Sequence, residues 1–266
     1  MNFLETIIGR RKASIEEAKG VLSLNELIHL VSGLRPRNDF RKSLVRAPGE
    51  NVRIIAEIKR ASPSKGNIAA DIEPADVAKE YAAGNASAIS ILTENSYFKG
   101  YSKDLQIVRK AVPTMPLLRK DFVVDEYQIY ESVLIGADAV LLIVAALKKE
   151  VLVRFIKLAR EHGLCPLVEV HTDDDLDAAL SAGADVIGVN NRNLATFEVS
   201  PEASERMARK VPAGTVTISE SGIRDLEGLR AAAELGYHAV LIGEHFMRAS
   251  DRAAEVRRFS APGGTK

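Results

Sequence analysis

The sequence predicts a (β/α)8 barrel behind a helical N-terminal extension. Three observations predict it. From Val52 onward, short β-rich runs alternate with amphipathic helical stretches eight times. Four helix-to-strand junctions repeat a pattern: A-G-N-A-S-A-I-S, I-G-A-D-A-V-L-L, A-G-A-D-V-I-G-V and L-G-Y-H-A-V-L-I. Their glycines, Gly84, Gly136, Gly183 and Gly236, are 52, 47 and 53 residues apart, two βα units each time. No G-x-G-x-x-G follows any strand, which argues against the competing open doubly wound sheet.

Residues 1–50 read as helical and strand-free. Phe3, Leu4, Ile7 and Ile8 recur at helical spacing, Ser23–Val31 predicts a second short helix, and Phe40–Val45 one further turn. Arg35-Pro36-Arg37 breaks the pattern and Ala47-Pro48-Gly49 stops it. A prefix this small has no core of its own and is expected to pack on the barrel as a lid or plug. The barrel is expected over 51–259, with 260–266 a disordered tail carrying Pro-Gly-Gly.

The strands are predicted near 52–58, 86–92, 114–119, 138–144, 164–170, 185–189, 215–219 and 238–242. The helices are predicted near 74–84, 103–111, 125–136, 148–163, 173–183, 201–210, 224–235 and 245–258. Glu73-Pro74, Thr172-Asp173-Asp174 and Ser200-Pro201-Glu202 are helix-start signals. The four junction glycines suit the left-handed residue that ends a helix.

Composition narrows the function. The 266 residues are 46% hydrophobic and 27% charged, and Lys+Arg and Asp+Glu both number 36, so the net charge is zero. No basic excess points to nucleic acid or a membrane surface. The N-terminus mixes acids and bases too early for a signal peptide, and no apolar run approaches about 18 residues. A cytoplasmic monomer is expected. The single cysteine, Cys165, excludes an intrachain disulfide and a multi-cysteine metal site, and its apolar setting suits a core residue.

Chemistry in such barrels lies at the C-terminal strand ends. Those ends read Glu57 and Lys59, Thr93-Glu94, Lys120-Asp121, the apolar Leu142-Ile143, Glu169 and His171, Asn190-Asn191-Arg192, Glu220-Ser221-Gly222, and Gly243-Glu244. Strand alternation places Glu57 and Lys59 on one face, which alone could be a structural ion pair. Two lysines, three carboxylates and an asparagine converging on one mouth make a site the better reading. Gly222 and Gly243, after the last two strands, leave backbone N–H groups open for a phosphate, with Ser62 and Ser64 of the first loop in reach. Glu244 is expected to turn its carboxylate away. His171 beside Glu169 falls short of the three or four ligands of a metal centre, so no metal is expected. Tyr127 and Tyr130 read as packing residues.

Eight motifs in order, spread over about 190 residues, carry a resemblance. E-I-K-R-A-S-P-S-K-G, I-L-T-E-N-S-Y-F-K-G, P-L-L-R-K-D-F, G-A-D-A-V-L-L-I, V-E-V-H, G-V-N-N-R-N-L, I-S-E-S-G-I and L-I-G-E-H-F-M together resemble the indole-3-glycerol phosphate synthase family, as does the helical prefix. The resemblance implies closure of 1-(2-carboxyphenylamino)-1-deoxyribulose 5-phosphate to indole-3-glycerol phosphate with loss of CO2 and water, without cofactor or metal. By motif position, Lys120 matches the general acid on the ketone oxygen. Glu169 matches the carboxylate of the later proton transfers, with Glu57 nearby. Lys59 would meet the substrate carboxylate and assist dehydration. Asn190, Glu220 and Ser221 would line the site, Arg192 would organise the sixth loop, and Phe98 would contact the anthranilate ring. The phosphate would meet Ser62, Gly222, Gly243 and the backbone of Glu244, where many members carry Ser.

Two other readings stand beside it. Lys59 or Lys120 at a strand end could form a Schiff base, as in an aldolase acting on a phosphorylated sugar. A non-catalytic phosphometabolite-binding barrel is the third.

Overall fold

The computed structural model describes residues 3–35, 38–47, 49–194 and 196–261. Pro36, Arg37 and Pro48 of the two predicted breaks, and residues 262–266 of the expected tail, lie outside them. Eight parallel strands close into a barrel: β1 Arg53–Ile58, β2 Ala88–Leu92, β3 Leu117–Lys120, β4 Ala139–Ile143, β5 Cys165–Val170, β6 Val186–Asn190, β7 Val216–Glu220 and β8 Ala239–Ile242. Each pairs with its sequence neighbours, and β1 closes on β8 with Arg53 opposite Ala239.

The helices are α1 Phe3–Val21, α2 Leu24–Val31, α3 Phe40–Leu44, α4 Pro74–Ala83, α5 Ser102–Ala111, α6 Glu126–Ile135, α7 Lys149–Glu161, α8 Asp173–Ser181, α9 Glu202–Ala208, α10 Leu226–Glu234, α11 Glu244–Arg248 and α12 Arg252–Ser260. Their starts follow local chemistry. Ser23 caps α2 and Thr172 caps α8, each in a reciprocal capping box, and Pro74 opens α4.

Alternation divides the strand residues between two apolar layers. Ile55, Leu118, Leu141, Leu167, Ile218 and Leu241 fill the lumen, while Ile54, Ala56 and Ile58 face the surrounding helices. Arg119 of β3 is the one charged side chain among the described strand residues fully buried in the outer layer. Its guanidinium bonds Thr93, Gln128 O, Ser132, Asp121 and Glu131, clamping β3 to α6. Nothing in the sequence reading anticipated it.

The N-terminal segment visits both ends of the barrel. Arg11 of α1 pairs with Asp121 just past β3, at 2.8 Å, and Lys19 with Asp125 at 2.8 Å, both on the C-terminal face. The segment passes α6 through α2 and reaches the opposite face. There Asn38 donates to Asp138 before β4, Arg41 to Gly214 O before β7, and Arg46 to Tyr237 O before β8. Phe40 and Leu44 of α3 join the same buried cluster as the lumen residues.

Three expectations need correction. Gly84 is not left-handed: Asn85, at φ 65°, takes that conformation instead. Gly84 is needed for space, since a Cβ there would lie 2.6 Å from Val256 Cβ and 2.8 Å from Ala253 O. The predicted last helix is two, α11 and α12, because Asp251 caps a new start by accepting from Ala254 N–H. Ser260, placed in the expected tail, instead ends α12. In the first loop, Ala61–Ser62 and Gly66–Asn67 form a small antiparallel ladder.

Candidate active site

The C-terminal strand ends enclose a cavity of about 800 Å³. Because Ile55 faces the lumen, alternation brings Glu57 and then Lys59 to the cavity, where they pair at 2.6 Å. Gly243 makes that pair possible: a Cβ there would stand 2.3 Å from Glu57 Oε1 and 3.0 Å from Lys59 Nζ.

Lys120 ends β3 opposite them. Its ammonium lies 2.8 Å from Glu169 Oε2 and 3.1 Å from Glu220 Oε2, with all three side chains nearly buried. Burial alone would lower the lysine, but Glu169, Glu220 and Glu57 outweigh it and hold it protonated well above its ordinary range. Two buried carboxylates sharing one ammonium divide unequally. Burial, reinforced by the Glu169 and Glu57 charges, pushes Glu220 up to about 8 against the pull of Lys120. Glu169 stays ionised: burial opposes this, but the charges of Lys120 and His171 and hydrogen bonds from Lys120 and Asn190 prevail. The centre thus holds a proton donor, an anion and a carboxyl group poised near neutrality.

The other side of the mouth suits an anion. Ser62, Ser64, Ser221, Gly222, Gly243 and Glu244 all line the cavity. Ser221 and Gly222 are both left-handed, at φ 65° and 94°. For Ser this backbone is strained, and such strain concentrates at functional turns. Gly243 leads into α11, and the Glu244 carboxylate is taken up by Arg248 at 3.1 Å. Arg248 itself lines the cavity, placing a cation there.

The walls between these two regions are aromatic and apolar. Phe98, Phe122, Leu141, Ile143 and Leu194 contribute, together with Phe3 of α1. Glu94 is fully buried and accepts from the N–H groups of Ser96, Tyr97 and Phe98, fixing the loop that presents Phe98. Phe3 packs edge-on against Tyr97 and Phe197 at 5.0 and 4.9 Å, bridging the loops after β2 and β6. Arg192 lines the cavity and donates to Phe197 O at 3.1 Å.

A family model described as indole-3-glycerol phosphate synthase matches residues 4–259. The chain is 45% identical over 263 residues to the indole-3-glycerol phosphate synthase of Thermoanaerobacter pseudethanolicus, covering 98% of this chain and 99% of that protein. The chain belongs to the indole-3-glycerol phosphate synthase family. Indole-3-glycerol phosphate synthase 1 of Streptomyces coelicolor is 44% identical over 263 residues, 99% of this chain and 96% of that one. These synthases are decarboxylating lyases of tryptophan biosynthesis. Among solved structures, 3-hexulose-6-phosphate synthase from Salmonella typhimurium matches with TM-score 0.63 over 79% of this chain and 97% of that one. At 16% identity it shows a shared barrel fold alone.

All thirteen residues singled out in the sequence from the synthase motifs line this cavity: Glu57, Lys59, Ser62, Phe98, Lys120, Glu169, Asn190, Arg192, Glu220, Ser221, Gly222, Gly243 and Glu244. Not every polar strand end does. Thr93 bonds Asp121, Glu94 holds its own loop, and Asn191 bonds Ser219, Ser221 O and Ser204 N–H. His171 turns to a neighbouring cavity. The sequence reading missed Arg248, Phe3 and Gly188. A Cβ on Gly188 would stand 2.1 Å from Glu220 Oε1, and a glycine inside an apolar strand was the available signal. Cys165 takes no part: burial pushes its thiol up to about 12. Tyr127 and Tyr130 are buried packing residues, as expected.

Proposed function

We propose that this chain closes 1-(2-carboxyphenylamino)-1-deoxyribulose 5-phosphate to indole-3-glycerol phosphate, releasing CO2 and water, and that the thirteen cavity residues carry the reaction. The observation that supports this best is Lys120, an ammonium buried between Glu169 and Glu220 and facing the cavity. In ring closure the aromatic carbon attacks the ketone, and negative charge develops on its oxygen. Lys120 donates the proton there as general acid. CO2 then leaves from the attacking ring carbon, whose bonding pair restores the aromaticity of the ring. Dehydration needs a proton on the departing hydroxyl and removal of one from the adjacent carbon. Glu169 serves these transfers with Glu57 and Glu220 beside it, and Asn190 steadies Glu169. Lys59 meets the substrate carboxylate and assists the loss of water.

The phosphate rests against Ser62, Ser221, Gly222, Gly243 and the backbone N–H of Glu244. Binding energy so far from the reacting atoms holds the flexible ribulose chain in its attacking conformation. Phe98 covers the anthranilate ring, and Arg192 orders the sixth loop. Neutralisation of Glu244 by Arg248 fits an anion at this end.

The Schiff-base reading needs a neutral amine, and the raised Lys120 works against it. Residues 1–50 are read as an extension packed on the barrel at 51–259, in a cytoplasmic monomer without nucleic-acid partners. Among the described residues no helix is long and apolar enough to cross a membrane. The direct test is incubation with the carboxyphenylamino-deoxyribulose phosphate while following indole absorbance. No absorbance change would reject the reading, as would a borohydride-stable adduct on Lys120.

A further inference from the structure

Beside the active-site cavity, under the loops after β5 and β6, lies a second cavity of about 490 Å³. Asn190, Arg192 and Leu194 line both, so the two share a wall. Glu169 lines the first cavity, and His171, two residues further along the chain, lines the second. His171 Nε2 lies 3.4 Å from Glu169 Oε1, while the other carboxylate oxygen accepts from Lys120. The imidazole is 13% exposed through its carbons, while both ring nitrogens are buried and neither has a hydrogen-bond partner among the described residues. Histidines with a structural role normally have one nitrogen tied, which fixes the tautomer. Here nothing fixes it.

The charged groups that line this second cavity with His171 come from three further elements. Asp175 of α8 accepts the backbone N–H groups of His171 and Thr172. Arg192 and Glu198 approach from the loop after β6, and Glu202 and Arg206 from α9 or its edge.

The proton balance of the proposed reaction supplies the need. Ring closure puts one proton on the ketone oxygen. Dehydration uses a second to release that oxygen as water, and returns one from the carbon that becomes doubly bonded. CO2 departs without its bonding pair, which restores the ring. One net proton is therefore taken up per turnover, while substrate fills the main cavity.

We propose that His171 delivers this proton to Glu169 from the second cavity. A proton carried in through the second cavity binds Nδ1, the Nε2–H bond breaks as the Oε1–H bond forms on Glu169, and the neutral imidazole resets by proton exchange through the same cavity. His171 acts through Glu169 and does not touch substrate. The inference rests on the acid–base role of Glu169.

The test compares the intact enzyme with His171→Asn, His171→Ala and Glu169→Gln in weak buffer. His171→Asn should lose about tenfold in kcat, short of the roughly 10²–10⁴-fold effect of direct acid–base loss. Its KM should stay within about twofold, and its solvent deuterium isotope effect should rise. Imidazole should restore most of the His171→Ala loss. Unchanged kcat in weak buffer would overturn the relay, and so would a loss that imidazole does not repair with no change in isotope effect. Near-native activity in Glu169→Gln would instead remove the acid–base reading itself. An inactive Glu169→Gln beside a fully active His171→Asn removes the relay alone.

Discussion

At the N-terminal end of the lumen, Phe40 and Leu44 of α3 lie buried among apolar residues, and hydrogen bonds from Asn38, Arg41 and Arg46 fasten the segment around them. At the C-terminal end, the strands finish in Glu57, Lys59, Lys120, Glu169 and Glu220, all facing an open cavity. The first closure lowers free energy by removing apolar surface from water. The second gathers desolvated charges whose mutual attraction must offset their burial. Stability and chemistry are thus concentrated at opposite ends of one lumen, and substitutions at the two ends should fail differently.

The largest separation is expected at the centre of the catalytic face. Lys120→Met should lower kcat by about 10³-fold or more while KM stays within about tenfold, because its proton is needed in the transition state. Steady-state assay of purified, folded variant checks this, and near-native turnover would remove the role. At the plug, Phe40→Ala should cost about 3–5 kcal/mol of stability. Urea unfolding measures that loss, and kcat of the folded fraction should remain within about twofold. A collapse of kcat in folded protein would mean that the two ends are coupled.

The pH response should come from the catalytic end. Glu220 is raised in the folded state from 4.5 to about 8. Between those values the folded protein binds the extra proton, so stability falls as pH rises through the window. Glu169 has the opposite sign: its depressed value contributes stability above the ordinary carboxylate range, lost as pH falls through its folded value. Glu220→Gln should flatten the decline on the neutral side, read as the thermal midpoint against pH. An unchanged slope would place the titrating group elsewhere. The smallest effect belongs to the anion side. Ser62→Ala removes one hydrogen bond worth about 1 kcal/mol, so KM should rise about fivefold with kcat changed less. Steady-state titration with substrate distinguishes this from a loss confined to kcat.

The strands were legible in sequence because each buried run is bounded by its own punctuation. Gly136, Gly183 and Gly236 end helices in the left-handed conformation, and capping boxes such as Thr172 with Asp175 start them. The strand-end chemistry was legible for a related reason, since a charged side chain after an apolar run has few structural explanations. What stayed hidden depends on contacts between distant segments. Gly84 gave no sign that α12 would press against it, and nothing local marked Arg119 as the clamp between β3 and α6. The split between α11 and α12, and the ladder after β1, involve pieces too short to carry a period. The surroundings of His171 stayed hidden as well, because the second cavity it lines is also walled by Leu194 and by residues of α9.

The N-terminal segment has a consequence for the order of assembly. During synthesis it precedes the barrel, yet Arg11 waits 110 residues for Asp121, Arg41 waits 173 for Gly214, and Arg46 waits 191 for Tyr237. Contacts of such long range carry a loop-closure cost that local pairings avoid. The barrel must therefore be nearly complete before Phe40 and Leu44 have a lumen to enter. Until then the growing chain exposes them, and a chaperone that shields the first fifty residues would be guarding the last piece to dock.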